Sequence, residues 1–211
     1  MTSVCCSRAP CEGTRKMAKS PPPLEIGCKA THCGKTVKPS ERRHAFSMPS
    51  ESGLLPGFAG ACEACEERLI DWERCHTHDP NDIEALIESL RFELIRDNYW
   101  GLALPDHVLS KARKRTPGQL KESIAINLRS GLKLGHFKEG RQTPWATSKE
   151  ATIIDCSKHA TGTCCRRCLE KWHGIPRDRE LSPTELAYLS VLAGIYTERR
   201  LESPAPSGAP A

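Results

Sequence analysis

Apolar and polar positions divide the chain into regions of different character. Residues 1–24 are Ser-, Pro- and base-rich with no periodic apolar pattern, and they are predicted as a disordered tail. The Pro/Ala/Ser/Gly run at 202–211 is predicted as a second disordered tail. From 25 to 80, Gly, Pro and Ser punctuate short apolar pieces, which predicts a loop-dominated unit. A helical domain is expected over 81–201. After Asp79-Pro80, the residues Ile83, Leu86, Ile87, Leu90 and Leu94 recur at three and four, the spacing of one buried helical face, and Gly101 marks the stop. A short basic helix is predicted after Pro105. Thr116 as N-cap with Pro117 at the first helical position opens a helix through Leu120, Ile124 and Leu128 that ends at Gly131. Ala151-Thr152-Ile153-Ile154 reads as a strand, followed by a helix from about Thr163 to Trp172 that Gly174 and Pro176 end. Ser182-Pro183-Thr184-Glu185 has the form of a capping box and opens a last helix carrying Leu186, Leu189 and Ile195.

Composition changes this picture in one respect. Aromatics are 5% and charged residues 27% of the 211, a thin apolar supply against the entropy of ordering the chain, so something besides the core is expected to help. Twelve cysteines are available for that. The N-terminus has no continuous apolar run ahead of a small-residue cleavage site, and no stretch approaches the ~18–20 apolar residues of a membrane span. A cytoplasmic, reducing setting is the expectation, in which closely spaced cysteines hold metal more often than each other. Met17 is an alternative start, which would leave Cys5, Cys6 and Cys11 outside the functional chain.

Cys28-x4-Cys33 and Cys62-x2-Cys65 form two short knuckles, the way two turns deliver four thiolates to tetrahedral zinc. Gly34 and Gly60 supply the small residues that tight turns need. The long intervening loop leaves room for His44 to replace one cysteine, or for Cys75, His76 and His78 to contribute. Four such ligands close the coordination sphere and leave no position for a substrate. The fold class expected is therefore α+β, mostly α-helical, with short strands and a small, loop-rich, zinc-ribbon-like N-terminal unit over 25–80.

A second concentration, His159 to His173, gathers Cys164, Cys165, Cys168 and two histidines within fifteen residues. At about 100° per residue the cysteines, Leu169 and Trp172 share one arc of a helix, with Arg166, Arg167, Glu170 and Lys171 opposite. One reading packs the cysteines beneath Trp172 as core. Another builds a metal site from His159, Cys165, Cys168 and His173, with Cys156 or Cys164 as alternates. An iron–sulfur cluster on four cysteines including Cys156 is a further option, as is a reactive Cys164 or Cys165 with His159 as its base.

The pieces GRQTP from Gly140, HATGTCCRRCLEKWHGIP from His159 and the helix opened by Ser182 resemble a bacterial family of domains of unknown function, family 4186. The resemblance covers about 117–201 and leaves the knuckle unit outside. It departs at Gly162, where the family usually carries alanine, and in the lead-in to His159. The family has no activity to transfer, so the resemblance implies fold and site location alone.

Charge suggests a partner. The net charge is +5, but 106–141 holds nine Lys/Arg against three acids, a local excess compatible with contacts to the phosphates of DNA or RNA. Three readings follow: a nucleic-acid-associated zinc protein, a metal-dependent hydrolase or nuclease using the Cys/His block, and an interaction adaptor whose metals hold shape.

Overall fold

The computed structural model describes residues 31, 33, 43–49, 59–101, 103–133 and 143–202. Residues 1–24 and 203–211 of the predicted tails, and Cys28, lie outside the described residues, while Glu202 ends the last helix. Helix α1 spans Trp72–Cys75 and follows the cap of Asp71, whose carboxylate accepts from the Arg74 N–H at 3.0 Å. A 3₁₀ turn at Pro80–Asp82 then leads into α2, Ile83–Leu90, which buries Ile83, Leu86, Ile87 and Leu90 as its spacing predicts. The apolar face does not run on as one helix. The chain breaks at 91–93 and restarts as α3, Leu94–Gly101, because the Phe92 carbonyl and the Leu94 N–H are turned outward to pair with the main chain of His44, at 2.7 and 3.1 Å.

Helix α4 spans Asp106–Arg113, and α5, Pro117–Gly131, starts at Thr116 with Pro117 at its first position. The Thr116 hydroxyl accepts from the Gln119 N–H, and the Gln119 side chain accepts in return from the Thr116 N–H at 2.9 Å. The predicted strand at 151–154 is a helix instead: α6 runs Ile153–Ala160. Its signal is a capping box that the β-branched run conceals, with the Thr152 hydroxyl taking the Asp155 N–H and the Asp155 carboxylate taking the Thr152 N–H. Strand pairing among the described residues takes the form of isolated bridges, His44 with Glu93 and Phe46 with Cys62 among them. The described residues are thus mostly helical, at 57%, and contain no strand longer than an isolated bridge.

Helix α7 occupies Arg166–His173 with Cys165 as its N-cap, so Cys164 and Cys165 precede the helix rather than ride on it. Gly174 ends it in the left-handed region at φ +62°, where an added Cβ would come within 2.8 Å of the His76 ring. Helix α8, Pro183–Glu202, opens on the expected box, Glu185 N–H to Ser182 hydroxyl at 3.1 Å and Ser182 N–H to Glu185 carboxylate at 2.8 Å. It packs along α5 and α6, while α3 packs on α6. Leu128, Leu169, Trp172, Leu189, Leu192 and Tyr196 sit at the centre of the core that results. The Tyr196 hydroxyl ties α8 to α3 by donating to the Tyr99 carbonyl at 2.8 Å.

The loop unit shares this core. Phe46 and Trp72 meet Trp172 with ring centroids 6.3 and 5.1 Å apart. His76 and His78 donate through Nε2 to the carbonyls of Lys171 and His173, at 2.9 and 2.6 Å, at the end of α7. No helix among the described residues is long and apolar enough to cross a membrane.

Candidate metal centre

The second knuckle is built by main-chain turns. Gly60, at φ +74°, holds a conformation in which a Cβ would strike the Trp72 indole at 2.2 Å, and its carbonyl accepts the Trp72 Nε1–H. Beyond it, the Ser47 and Glu63 N–H groups pair with the Ala61 and Ala45 carbonyls at 2.9 and 2.8 Å, which lays Phe46 against Cys62. The Ala64 N–H then points at the Cys62 sulfur at 3.4 Å, and Glu66 at φ +61° turns the chain back.

His44 enters this knuckle from the opposite side. Its main chain is clamped by Phe92 and Leu94, its ring is fully buried, and Nδ1 lies 3.3 Å from both Cys33 Sγ and Cys65 Sγ. Cys33 Sγ is 3.6 Å from Cys62 Sγ, and the four ligand atoms all lie within 4.8 Å of one another. Around a tetrahedral ion about 2.3 Å from sulfur and about 2.0 Å from nitrogen, S···S neighbours stand about 3.8 Å and S···N neighbours about 3.5 Å apart. The observed separations match that frame and are far beyond the ~2.05 Å of a disulfide. Cys33, His44, Cys62 and Cys65 could therefore bind a metal ion. The spacing of the cysteines locates three of these positions, and His44 holds the fourth.

Electrostatics fits the same use. Burial would raise the Cys62 thiol, but hydrogen bonds with the backbone of Ala64, Ala45 and Cys65 and with the His44 ring bring it down to about 6. Burial pushes Cys33 up to about 12, with the Cys62 and Cys65 sulfurs adding to it. The Cys62 sulfur is thus readily anionic, and a cation between the sulfurs would favour the same state in Cys33.

The second block is assembled differently from its linear spacing. The sulfurs of Cys164, Cys165 and Cys168 lie within 4.8 Å of one another, and Cys165 Sγ caps α7 by accepting the Cys168 N–H at 3.3 Å. Hydrogen bonding from Cys164 lowers the Cys165 thiol, but Cys168 and burial outweigh it and push it up to about 11. The histidines named with these cysteines are not brought into that group. His159 is buried in a stack between Tyr99 and Trp145, with centroids at 5.0 and 4.6 Å, and its Nε2 donates to the Thr143 carbonyl. His173 donates from Nε2 to the Thr161 carbonyl at 2.9 Å, and burial drives its basicity down to about 3. Cys156 is buried but stands outside the three-sulfur group.

Three charged residues prove central. Glu93 and Arg96 are fully buried, and Lys171, placed on the outer arc by its spacing, is nearly so. The Glu93 carboxylate pairs with Arg96 Nε at 3.0 Å and Lys171 Nζ at 2.9 Å, and accepts the Trp172 indole N–H at 3.2 Å. Burial would raise the Glu93 carboxyl, but Lys171 and Arg96 hold it below its usual range. Lys171 also donates to the Phe46 carbonyl at 2.8 Å, and Arg96 Nη2 donates to Cys168 Sγ at 3.1 Å, so this network joins the two cysteine groups. Arg166, also expected to face outward, is buried too, its guanidinium donating to the carbonyls of Leu132, Pro176 and Arg179.

No solved structure matches the chain. Residues 103–197 match the model of the family described as Domain of unknown function (DUF4186), so the matched stretch begins ahead of 117 and takes in α4 to α7 and most of α8. The three-cysteine group falls within it, and the Cys33/His44/Cys62/Cys65 quartet lies outside as an additional unit. Through residues 103–197 the chain is thus similar to the DUF4186 family.

Proposed function

We propose that the chain is a zinc protein that associates with nucleic acid, with Cys33, His44, Cys62 and Cys65 holding one structural zinc. The observation that carries this reading is the quartet's spacing, three sulfurs and one imidazole nitrogen at tetrahedral separations, a soft donor set that suits zinc. All four positions of such an ion are filled by the chain, which argues for a role in shape and against catalysis at this centre. The ion would fasten residues 33, 44, 62 and 65 to one point, and His44 in turn is bound to the α2–α3 break, so the zinc supports the surface on which α7 rests. Elemental analysis of the purified chain tests this. At least one zinc per chain should survive gel filtration, and Cys62→Ser should hold one fewer than the wild type, whereas zinc content unchanged by that substitution rejects the site.

The nucleic-acid part rests on the basic stretch that runs through α4 and α5. Lys111, Arg113, Lys114, Arg115, Lys121, Arg129 and Lys133 are all exposed there, while the acids on the same stretch are Asp106 and Glu122. Counterion release makes the test quantitative, since each phosphate contact steepens the salt dependence by about 0.9 in log–log slope on duplex DNA. Anisotropy titrations with labelled DNA and RNA should show binding that weakens with salt, and Lys114→Glu with Arg115→Glu should reduce the slope by about 2. Absence of binding at ~50 mM salt would reject this part and leave the zinc site standing.

A further inference from the structure

Inside the DUF4186 stretch the three-cysteine group has properties of its own. Arg96 is fully buried, and its guanidinium donates to sulfur twice, from Nη2 to Cys168 at 3.1 Å and from Nη1 to Cys164 at 3.8 Å. The Cys168 main-chain N–H donates to the third sulfur, that of Cys165. Each thiol of the group thus receives at least one N–H donor. Hydrogen bonds of this kind recur around metal-bound sulfur, where they hold the ligand and temper its charge. Cys165 adds the N-terminus of α7, whose dipole stabilises negative charge there.

We propose that Cys164, Cys165 and Cys168 form a second cation site, which takes one divalent, thiophilic d¹⁰ ion through three thiolates and leaves one coordination position to an exogenous ligand. Binding releases three protons from three thiols and yields a complex of charge −1. That charge complements the +1 carried jointly by Glu93, Arg96 and Lys171 next to it, a match that matters in a region this dry. A monovalent ion on the same three sulfurs would give −2 and lose the match. The fourth position is not filled by the neighbouring imidazoles, because His159 and His173 both commit Nε2–H to carbonyls and neither ring nitrogen joins the three sulfurs within 4.8 Å. Cys165 is the half-buried member of the three, so an incoming water or small thiol reaches the ion from its side. Three protein ligands and one open position are the arrangement of sites that activate a bound molecule, in contrast to the closed quartet.

The test uses the full chain purified anaerobically and loaded with zinc or cadmium. Two equivalents per chain are expected, with one lost in Cys165→Ser and the other lost in Cys62→Ser, so that the two sites are counted separately. If the serine variant of Cys165 misfolds, the wild-type chain still decides the matter: in the cobalt form, added 2-mercaptoethanol should shift the visible ligand-field bands of one of two ions and leave the other unchanged. A single equivalent in the wild type, fully removed by Cys62→Ser, would overturn the proposal. So would iodoacetamide labelling of Cys164, Cys165 and Cys168 at equal rates with and without excess cadmium, which would leave a cluster of thiols without an ion.

Discussion

Glu93 shows at the scale of one side chain how the molecule differs from its linear pattern. A charged residue beside a helical apolar face is ordinarily a solvated one, and neither Glu93, Arg96 nor Lys171 carries any mark of burial in the order of residues. Their role appears only when α3 and α7 meet, because the anion needs both cations and the indole N–H at once. Removing the carboxylate's charge leaves two buried cations without their shared partner. Glu93→Gln should therefore lower stability by about 3–5 kcal/mol, read as a reduced urea midpoint with unchanged slope. A change below about 1 kcal/mol would show the network to be solvated. His173 supplies a prediction of different sign structure. Its folded value, about 3, lies below the ordinary 6.5, so the unfolded chain binds the proton first as the medium is acidified. Stability held by neutral His173 is complete above about pH 6.5 and is lost progressively toward pH 3, amounting to about 2 kcal/mol by pH 5. Urea unfolding at pH 7.5 and pH 5 should show that much less acid sensitivity in His173→Gln than in the wild type. The nearness of Cys62 to Cys65, by contrast, is legible from spacing alone, since Cys62-x2-Cys65 is a local turn and needs no knowledge of tertiary packing.

At the scale of elements, caps were better guides than side-chain preference. Thr116-Pro117 and Ser182-Pro183 announce α5 and α8 correctly because the capping hydrogen bonds are made within three residues. The same device opens α6, yet Ile153 and Ile154 favour a strand on propensity, and here the Thr152–Asp155 box with tertiary burial overrides it. If the box sets the start of α6, Thr152→Ala should cost about 1 kcal/mol and weaken amide-exchange protection in the first turn of α6 before that of α8. Equal loss of protection in both helices would assign the effect to global destabilisation instead. The break between α2 and α3 was illegible for another reason. The apolar spacing runs straight through it, and what interrupts the helix is His44, a residue more than forty positions earlier that takes the exposed main-chain groups of Phe92 and Leu94.

For the whole molecule, the quartet and the helices are linked by the aromatic group Phe46, Trp72 and Trp172 and by Lys171. Loss of the ion from the quartet should therefore be felt in the DUF4186 helices. Chelation is expected to lower the thermal midpoint of the helical signal at 222 nm by several degrees and to shift tryptophan emission to longer wavelength, as Trp72 and Trp172 gain water. Unchanged emission with full loss of zinc would show that the loop unit and the helices are energetically independent. The family relationship was legible from the run around Cys164–His173, while the separation of its histidines from its cysteines was not, because a linear block does not reveal which side chains a turn at Gly162 sends apart.

The late position of Lys171 has a consequence for biosynthesis. Arg96 reaches Glu93 within one helical turn, but Lys171 follows Glu93 by 78 residues in the chain. A nascent polypeptide that has only just emitted α3 from the ribosome has neither the ammonium nor the indole that this acid requires, so the slot for Trp172 stays hydrated until α7 emerges. The knuckle can gather its ligands early, yet its inner face is sealed only once α7 has emerged.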